Sequence, residues 1–352
     1  MICNNVNGIE MFTVFSDRYG ITLRELGAII DLDALAKHLE IPQKSFFTNQ
    51  ALKTLQFALK TLSPDKRFLF VNLLKRILKS WNNAGDIKSD SFLQKGILSG
   101  ISDVMRQDYW NGHRAAVCMT HDVDYLMGYD FVETLSEMDK KYTVKSTFNF
   151  LTGWDYKIHS DLVLSLAAQG FEIGLHGHTH DIAMGTRGYK QIKSDLQKAL
   201  HDITFSPISG FRAPALSVSK VLLNVLSEIG FSYDSSILGI DKQGGGILYC
   251  FPFKYPGVAL WEVPLSIQDT YFFRDRNLTD DEAFNQAVAT IDNIIGIGGV
   301  AVINCHPCII KDHLRFYERL LKYIANQRGV WNPLLIELVT YIDKKVGAYV
   351  QE

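Results

Sequence analysis

The sequence has no dominant sign of charge. It carries 36 Lys and Arg against 38 Asp and Glu, a formal net charge of -2. No run of Lys or Arg stands out, so neither nucleic acid nor a charged membrane surface has an electrostatic attractor here. Long apolar runs are missing too. None approaches the roughly 18 residues that a membrane-crossing helix needs, so no span is expected. The segment Met1-Ile-Cys-Asn-Asn-Val-Asn7 lacks a basic stretch followed by an apolar core. It does not read as a secretory leader, and a cytoplasmic location is expected. Cysteine is scarce and scattered: Cys3, Cys118, Cys250, Cys305 and Cys308. An odd set of this kind does not suggest a disulfide framework. Cys305-His-Pro-Cys308 has CxxC spacing. Neither a thioredoxin-like context nor a second ligand pair accompanies it. The two cysteines therefore read as small residues flanking a functional histidine.

What is present is ordinary globular material. The 352 residues are 47% hydrophobic and 21% charged, ample for a large core. Residues 1 to about 110 repeat apolar positions at helical spacing, as in Leu52 to Leu62 and Phe68 to Leu78. Ser63-Pro64-Asp65 supplies a cap and a proline suited to a helix start. No cluster of catalytic residue types occurs there. The segment reads as a helical accessory unit, 1–110, ahead of a main domain, 111–352. In that domain strand-like runs alternate with amphipathic helical ones. Strands are expected over 115–120, 145–150, 171–175, 207–212, 230–234, 259–264 and 299–305. Helices are expected over 130–141, 160–169, 188–201, 217–229, 280–295, 311–326 and 333–345. Such alternation implies an α/β fold, a parallel sheet with helices outside. The number of units suits a barrel better than an open sheet.

Functional residues of a barrel gather where its strands end. Here Asp122 and Asp124 follow the first strand, and His176 and His180 follow the third. Arg212 closes the fourth, Asp234 the fifth, and His306 the seventh. Two histidines and one carboxylate form the ligand set of a metal site that leaves a position open for water. Asp124, His176 and His180 are the expected ligands. Their nitrogen and oxygen donors suit Zn2+ best, with Co2+, Ni2+ or Fe2+ close behind. Gly174 and Gly177 let the backbone bend between them. Asp122, two residues from Asp124, is placed to act as general base, and His306 as general acid. Arg212 can orient Asp122 through its planar fork. Each of these residues alone has an ordinary structural explanation as a cap, a turn former or a surface ion. Their convergence on one rim is what points to chemistry. His178, between the two ligands, reads as a supporting or solvent-facing residue, with a ligand role as the alternative. His121 reads as a packing residue.

These motifs resemble the polysaccharide deacetylase, or NodB-homology, family of carbohydrate esterases, in its DxD variant. Thr120-His-Asp-Val-Asp124 is similar to the first family motif, and His176-Gly-His-Thr-His180 to the second. Arg212-Ala-Pro-Ala215 is similar to RxPY, with Ala215 in place of the aromatic. Ile303-Asn-Cys-His-Pro307 carries the histidine of the last motif, and Tyr233-Asp-Ser-Ser236 matches a stretch of the DxD group. The resemblance covers residues 114 to about 345. It implies a distorted (β/α)7 barrel, a divalent metal, and removal of an acetyl group from an N-acetylated sugar or polysaccharide. By position it makes Asp122 the base and Asp124 a ligand. Pro214, Asp234 and Asp269 are expected near the carbohydrate. Two other readings stay open: an allantoinase-like cyclic amide hydrolase, and a carbohydrate-binding relative without turnover. The intact set of ligands, base and acid argues against the last. Neither the sugar nor the oligomeric state is legible.

Overall fold

The structure is a computed structural model. It describes residues 110–239, 250–254, 258–296 and 298–350. Apart from Trp110, the accessory segment expected over 1–110 lies outside the described residues, as do the glycine-rich stretch 240–249 and Tyr255.

The central strands form because their residues can be buried on both faces. Strand β1, Ala115–Val123, is buried at every position. That is the pattern of a parallel strand covered on both sides. It is flanked by β2, Ser146–Leu151, and by β9, Val300–Asn304, both in parallel register. Beyond β2 follow β3, Glu172–Gly177, then the two-residue strands β4, Gly210–Phe211, β5, Tyr233–Asp234, and β7, Trp261–Glu262, all parallel. A short antiparallel strand β6, Phe253–Lys254, ends that side. On the other side β8, Ile267–Gln268, pairs with β9, and β10, Val330–Trp331, adds to the start of β1. The path β6-β7-β5-β4-β3-β2-β1-β9-β8 is the curled sheet of a distorted (β/α)7 barrel.

Helices cross between the strands. They are α1, Leu126–Tyr129; α2, Val132–Lys141; α3, Ser160–Ala168; α4, Tyr189–Asp202; α5, Lys220–Ile229; α6, Asp280–Gly296; α7, Pro307–Ile310; α8, Leu314–Ala325; and α9, Leu335–Val350. The ends of α5 show the local logic. The Ser219 hydroxyl accepts from the Leu222 amide, and Gly230 closes the helix at φ 101°. A polar N-cap and a left-handed glycine are the usual solutions to the unpaired groups at helix ends.

The two-residue period of the strands decides what faces where. In β1, Ala116 and Cys118 pack with Val300, Val302, Tyr233, Trp261 and the α9 residues Leu335, Leu338 and Val339. Ala115, Val117 and Met119 pack instead with residues of α2, α3, α6 and α8. Thr120 and Asp122 continue the first series. His121 continues the second and bonds Asp139 of α2. The same alternation puts Asn149 of β2 and Asn304 of β9 beside Asp122.

All seven expected strands and seven expected helices have counterparts within a few residues, but several strands are shorter than expected. The runs 207–212, 230–234 and 259–264 yield only two paired residues each. A curled sheet carries its twist at this edge, where the backbone leaves the ladder quickly. Strands β6, β8 and β10 carry too little pattern to be read from sequence.

Candidate active site

The site is built at the carboxyl ends of β1, β3, β4 and β9. Asp124, His176 and His180 each offer one ligand atom, and these atoms lie within 4.8 Å of one another. All three residues are buried. His176 Nδ1 lies 2.7 Å from the Arg212 carbonyl oxygen. A carbonyl can only accept, so Nδ1 carries a proton, and Nε2 is the nitrogen that faces the site. That Nε2 faces Asp124 Oδ1 at 3.2 Å, and His180 Nε2 faces the same oxygen at 3.6 Å. Asp124 Oδ1 accepts no hydrogen bond. Lone pairs of a carboxylate and an imidazole converging in a buried place call for a cation between them. The donor set therefore fits a divalent metal of the Zn2+ type. Burial alone would raise the Asp124 carboxyl. His180, His306 and His176 outweigh it and hold the group well below the usual range. Gly177, at φ 109°, makes the turn that brings His180 back toward His176. Tyr125 stacks on His180 with ring centroids 6.4 Å apart.

Asp122 stands beside this cluster. Asn149 Nδ2 donates to its Oδ1 at 2.8 Å, and Asn304 Nδ2 to its Oδ2 at 2.7 Å. Arg212 Nη1 lies 3.7 Å from Oδ2. Burial pushes this carboxyl up, but Arg212, His176 and His306 outweigh it and lower it below the ordinary value. Two amides, not only the guanidinium expected from the sequence, thus stand against Asp122. The signal for them was a lone asparagine inside each of two apolar strands, Ser146–Leu151 and Val300–Asn304.

His306 is held from behind. Asp269 Oδ1 accepts a hydrogen bond from the His306 Nδ1 at 2.6 Å, and Asp269 Oδ2 accepts one from the His306 backbone amide at 2.6 Å. The free edge, Nε2, points into the site, 3.8 Å from Asp124 Oδ2. Burial would lower this imidazole; Asp269, Asp124 and Asp122 outweigh it and raise it. Asp269, expected near the carbohydrate, sits behind the imidazole. Asp234 carries the same expectation. It is wholly buried, its Oδ1 accepts from the Ser236 hydroxyl at 2.6 Å, and it lies directly across the sheet from Glu262. Pro214 is buried in a 3₁₀ turn, Pro214–Leu216, whose Ala215 and Leu216 take φ of 52° and 54°. A Cβ added at Gly177 would lie 3.6 Å from Pro214 Cγ, so the proline packs under the metal loop.

The two ambiguous histidines separate clearly. His178 turns away, with Nδ1 3.1 Å from Thr152 Oγ1 and 3.2 Å from Asp202 Oδ2. His121 packs as expected, against Phe148 at 4.6 Å, with Nδ1 on the Cys305 carbonyl.

A curled parallel barrel with acids and histidines on its carboxyl rim defines the NodB class of fold. Residues 111–233, about a third of the chain, match the family described as polysaccharide deacetylase. A peptidoglycan deacetylase of Helicobacter pylori is 27% identical over 112 residues, 31% of this chain and 38% of that protein. The match thus spans well under half of that relative. A Mycobacterium smegmatis structure, provisionally assigned as a polysaccharide deacetylase, superposes with a TM-score of 0.56 at 20% identity, covering 67% of this chain and 93% of that one. The Puue allantoinase structure superposes with a TM-score of 0.55 at 15% identity, covering 67% and 92%. These two likenesses concern the fold alone. No helix among the described residues is long and apolar enough to cross a membrane.

Proposed function

We propose that this protein is a divalent-metal-dependent deacetylase that removes an acetyl group from an N-acetylated carbohydrate. The observation that carries the proposal is the meeting of Asp124, His176 and His180 beside both Asp122 and the His306–Asp269 pair. Asp124, His176 and His180 would hold the metal, most suitably Zn2+. Such an ion supplies Lewis-acid activation of water and of the substrate carbonyl. Asp122 takes the proton from the attacking water. Its position is fixed by Asn149, Asn304 and Arg212, so it needs no reorganisation to do so. His306 keeps its Nδ1 proton on Asp269 and delivers the Nε2 proton to the departing amine. The amine leaves as the free amino sugar, and acetate is the second product. Ala215, where the family has an aromatic, leaves one wall of the groove without a stacking ring.

The test is metal analysis of the purified protein together with acetate release from a panel of N-acetylated oligosaccharides. Stoichiometric Zn2+, Co2+, Ni2+ or Fe2+ with released acetate supports the reading. Bound metal with turnover of a cyclic ureide and no acetate release overturns the substrate class in favour of the allantoinase-like alternative. Sugar binding without any hydrolysis returns the inactive carbohydrate-binding alternative. The same proposal treats residues 1–110 as a helical accessory unit that supplies no ligand or acid–base group. Loss of bound metal on replacing His38 would contradict that division.

A further inference from the structure

Asp234 and Glu262 are directly opposed partners on the parallel strands β5 and β7. Both side chains are buried. Two ionised carboxylates facing each other inside a sheet repel, and each also suffers desolvation. Their hydrogen bonds account for only half of their oxygens. Asp234 Oδ1 accepts from the Ser236 hydroxyl at 2.6 Å, and Glu262 Oε1 accepts from the Ile237 amide at 2.9 Å. Asp234 Oδ2 and Glu262 Oε2 have no donor. One proton between these two oxygens satisfies both atoms and removes the repulsion. Burial raises both carboxyls, Asp234 to about 6 and Glu262 well above its ordinary value. The Arg212 guanidinium opposes that rise at both groups without removing it.

The pair reaches the site through Ser236. That hydroxyl donates to Asp234 and accepts from the Ala213 amide at 2.7 Å. Ala213 stands between Arg212 and the Pro214–Leu216 turn. The Arg212 carbonyl orients His176, and its guanidinium faces Asp122. Within that turn Ala215 and Leu216 both occupy the left-handed region. Such backbone persists only where its surroundings hold it.

We propose that Asp234 and Glu262 share a single proton and, through Ser236, act as positioning residues that hold the Arg212–Leu216 turn in the geometry the site requires. The pair's direct partners, Ser236 and Ile237, follow β5, and Ser236 carries the contact on to the Ala213 amide within that turn. The inference rests on the proposed deacetylase reading only for its activity readout.

Hydrogen-bond polarity gives the test. In Glu262→Gln the new amide donates to Asp234 Oδ2, and in Asp234→Asn the new amide donates to Glu262 Oε2. Either single substitution keeps one donor facing one acceptor. In the double variant two amide NH2 groups face each other, because Ser236 and Ile237 already claim the two carbonyl oxygens. Three measurements follow on the full chain. The infrared carbonyl band of a protonated carboxylic acid should be present at neutral pH and lose intensity in Glu262→Gln. Affinity for Zn2+ alone should fall by about tenfold or more in the double variant and by much less in either single, a coupling far from additive. Acetate release, measured well below each variant's unfolding temperature, should fall in kcat by about 10²-fold in the double with KM little changed. An unchanged infrared band in Glu262→Gln overturns the shared proton. A double variant that is merely less stable, with Zn2+ affinity and kcat of the folded protein kept, overturns the positioning role. If no variant, wild type included, releases acetate, the infrared and Zn2+ results still decide this inference, and only the deacetylase reading fails.

Discussion

At the scale of single residues, each site group has a distinct expected loss. His176→Ala should abolish metal retention, because two protein ligands hold an ion poorly; metal content after dialysis checks this. His306→Ala should keep the metal and slow turnover by roughly 10²–10⁴, the usual scale for losing an acid or base. Asp122→Asn should also keep the metal and lose activity, since an amide cannot take a proton from water. Loss of metal in His306→Ala, or full activity in Asp122→Asn, would show that the roles are misassigned. Asp269 has a different signature. It is the leading influence that raises His306 against the effect of burial. An acid must be protonated to act, so activity fades as pH rises through the His306 value. Asp269→Asn should therefore move the basic limb of kcat/KM to lower pH and leave metal content intact. A limb that stays in place would mean that His306 is not the acid.

At the scale of elements, the strands place the site only because small and polar residues interrupt them at fixed positions. Gly174 on β3 pairs with Asn149 on β2. A Cβ at 174 would lie 2.1 Å from Asn149 Oδ1. Gly174→Ala must push Asn149 off Asp122. We expect a stability loss of about 1–3 kcal/mol, the usual range for overpacking. We also expect a kcat loss of about tenfold from the misplaced base, read by urea unfolding and steady-state kinetics. An alanine variant with wild-type kcat would show that Asn149 does not position Asp122. Behind the sheet, Asp139 of α2 receives the hydroxyls of Ser146, at 2.5 Å, and of Tyr317 on α8, and faces His121 of β1. All four residues are fully buried. Tyr317→Phe removes one donor from a buried carboxylate and should cost about 1–3 kcal/mol in urea unfolding. A neutral substitution would mean that the network re-pairs without it.

At the scale of the whole molecule, the buried acids of β5 and β7 tie stability to pH. The folded value of Asp234, about 6, and that of Glu262 both lie above the ordinary carboxyl range. The sign follows: this contribution is complete below about pH 4 and is lost as pH rises through the folded values. Unfolding temperature should decline from about pH 4 upward through the folded values, and Glu262→Gln, which has no proton to lose, should flatten that decline. A variant curve parallel to the wild type would place the titration elsewhere.

Much of this architecture was legible in the chain. The alternation of apolar runs set the order of strands and helices. The histidines and acids at strand ends marked the rim, because a parallel barrel exposes its chemistry there. The candidate ligand trio and the placing of Asp122 and His306 came from spacing and residue type, which local sequence records. The companions of these residues did not. Asn149, Asn304, Asp269 and Glu262 lie 27, 182, 37 and 25 positions from the partners they meet. Such pairs exist only once the sheet has curled and its registers are set. The sequence reading expected Asp234 and Asp269 near the carbohydrate. Tertiary packing enclosed both, turning one toward a histidine and the other toward a second acid. The sequence by itself determined which residues could do chemistry and on which end of the barrel they stand. Only the folded chain decided which of them touch, because hydrogen-bond partners are chosen by distance in space and not along the backbone.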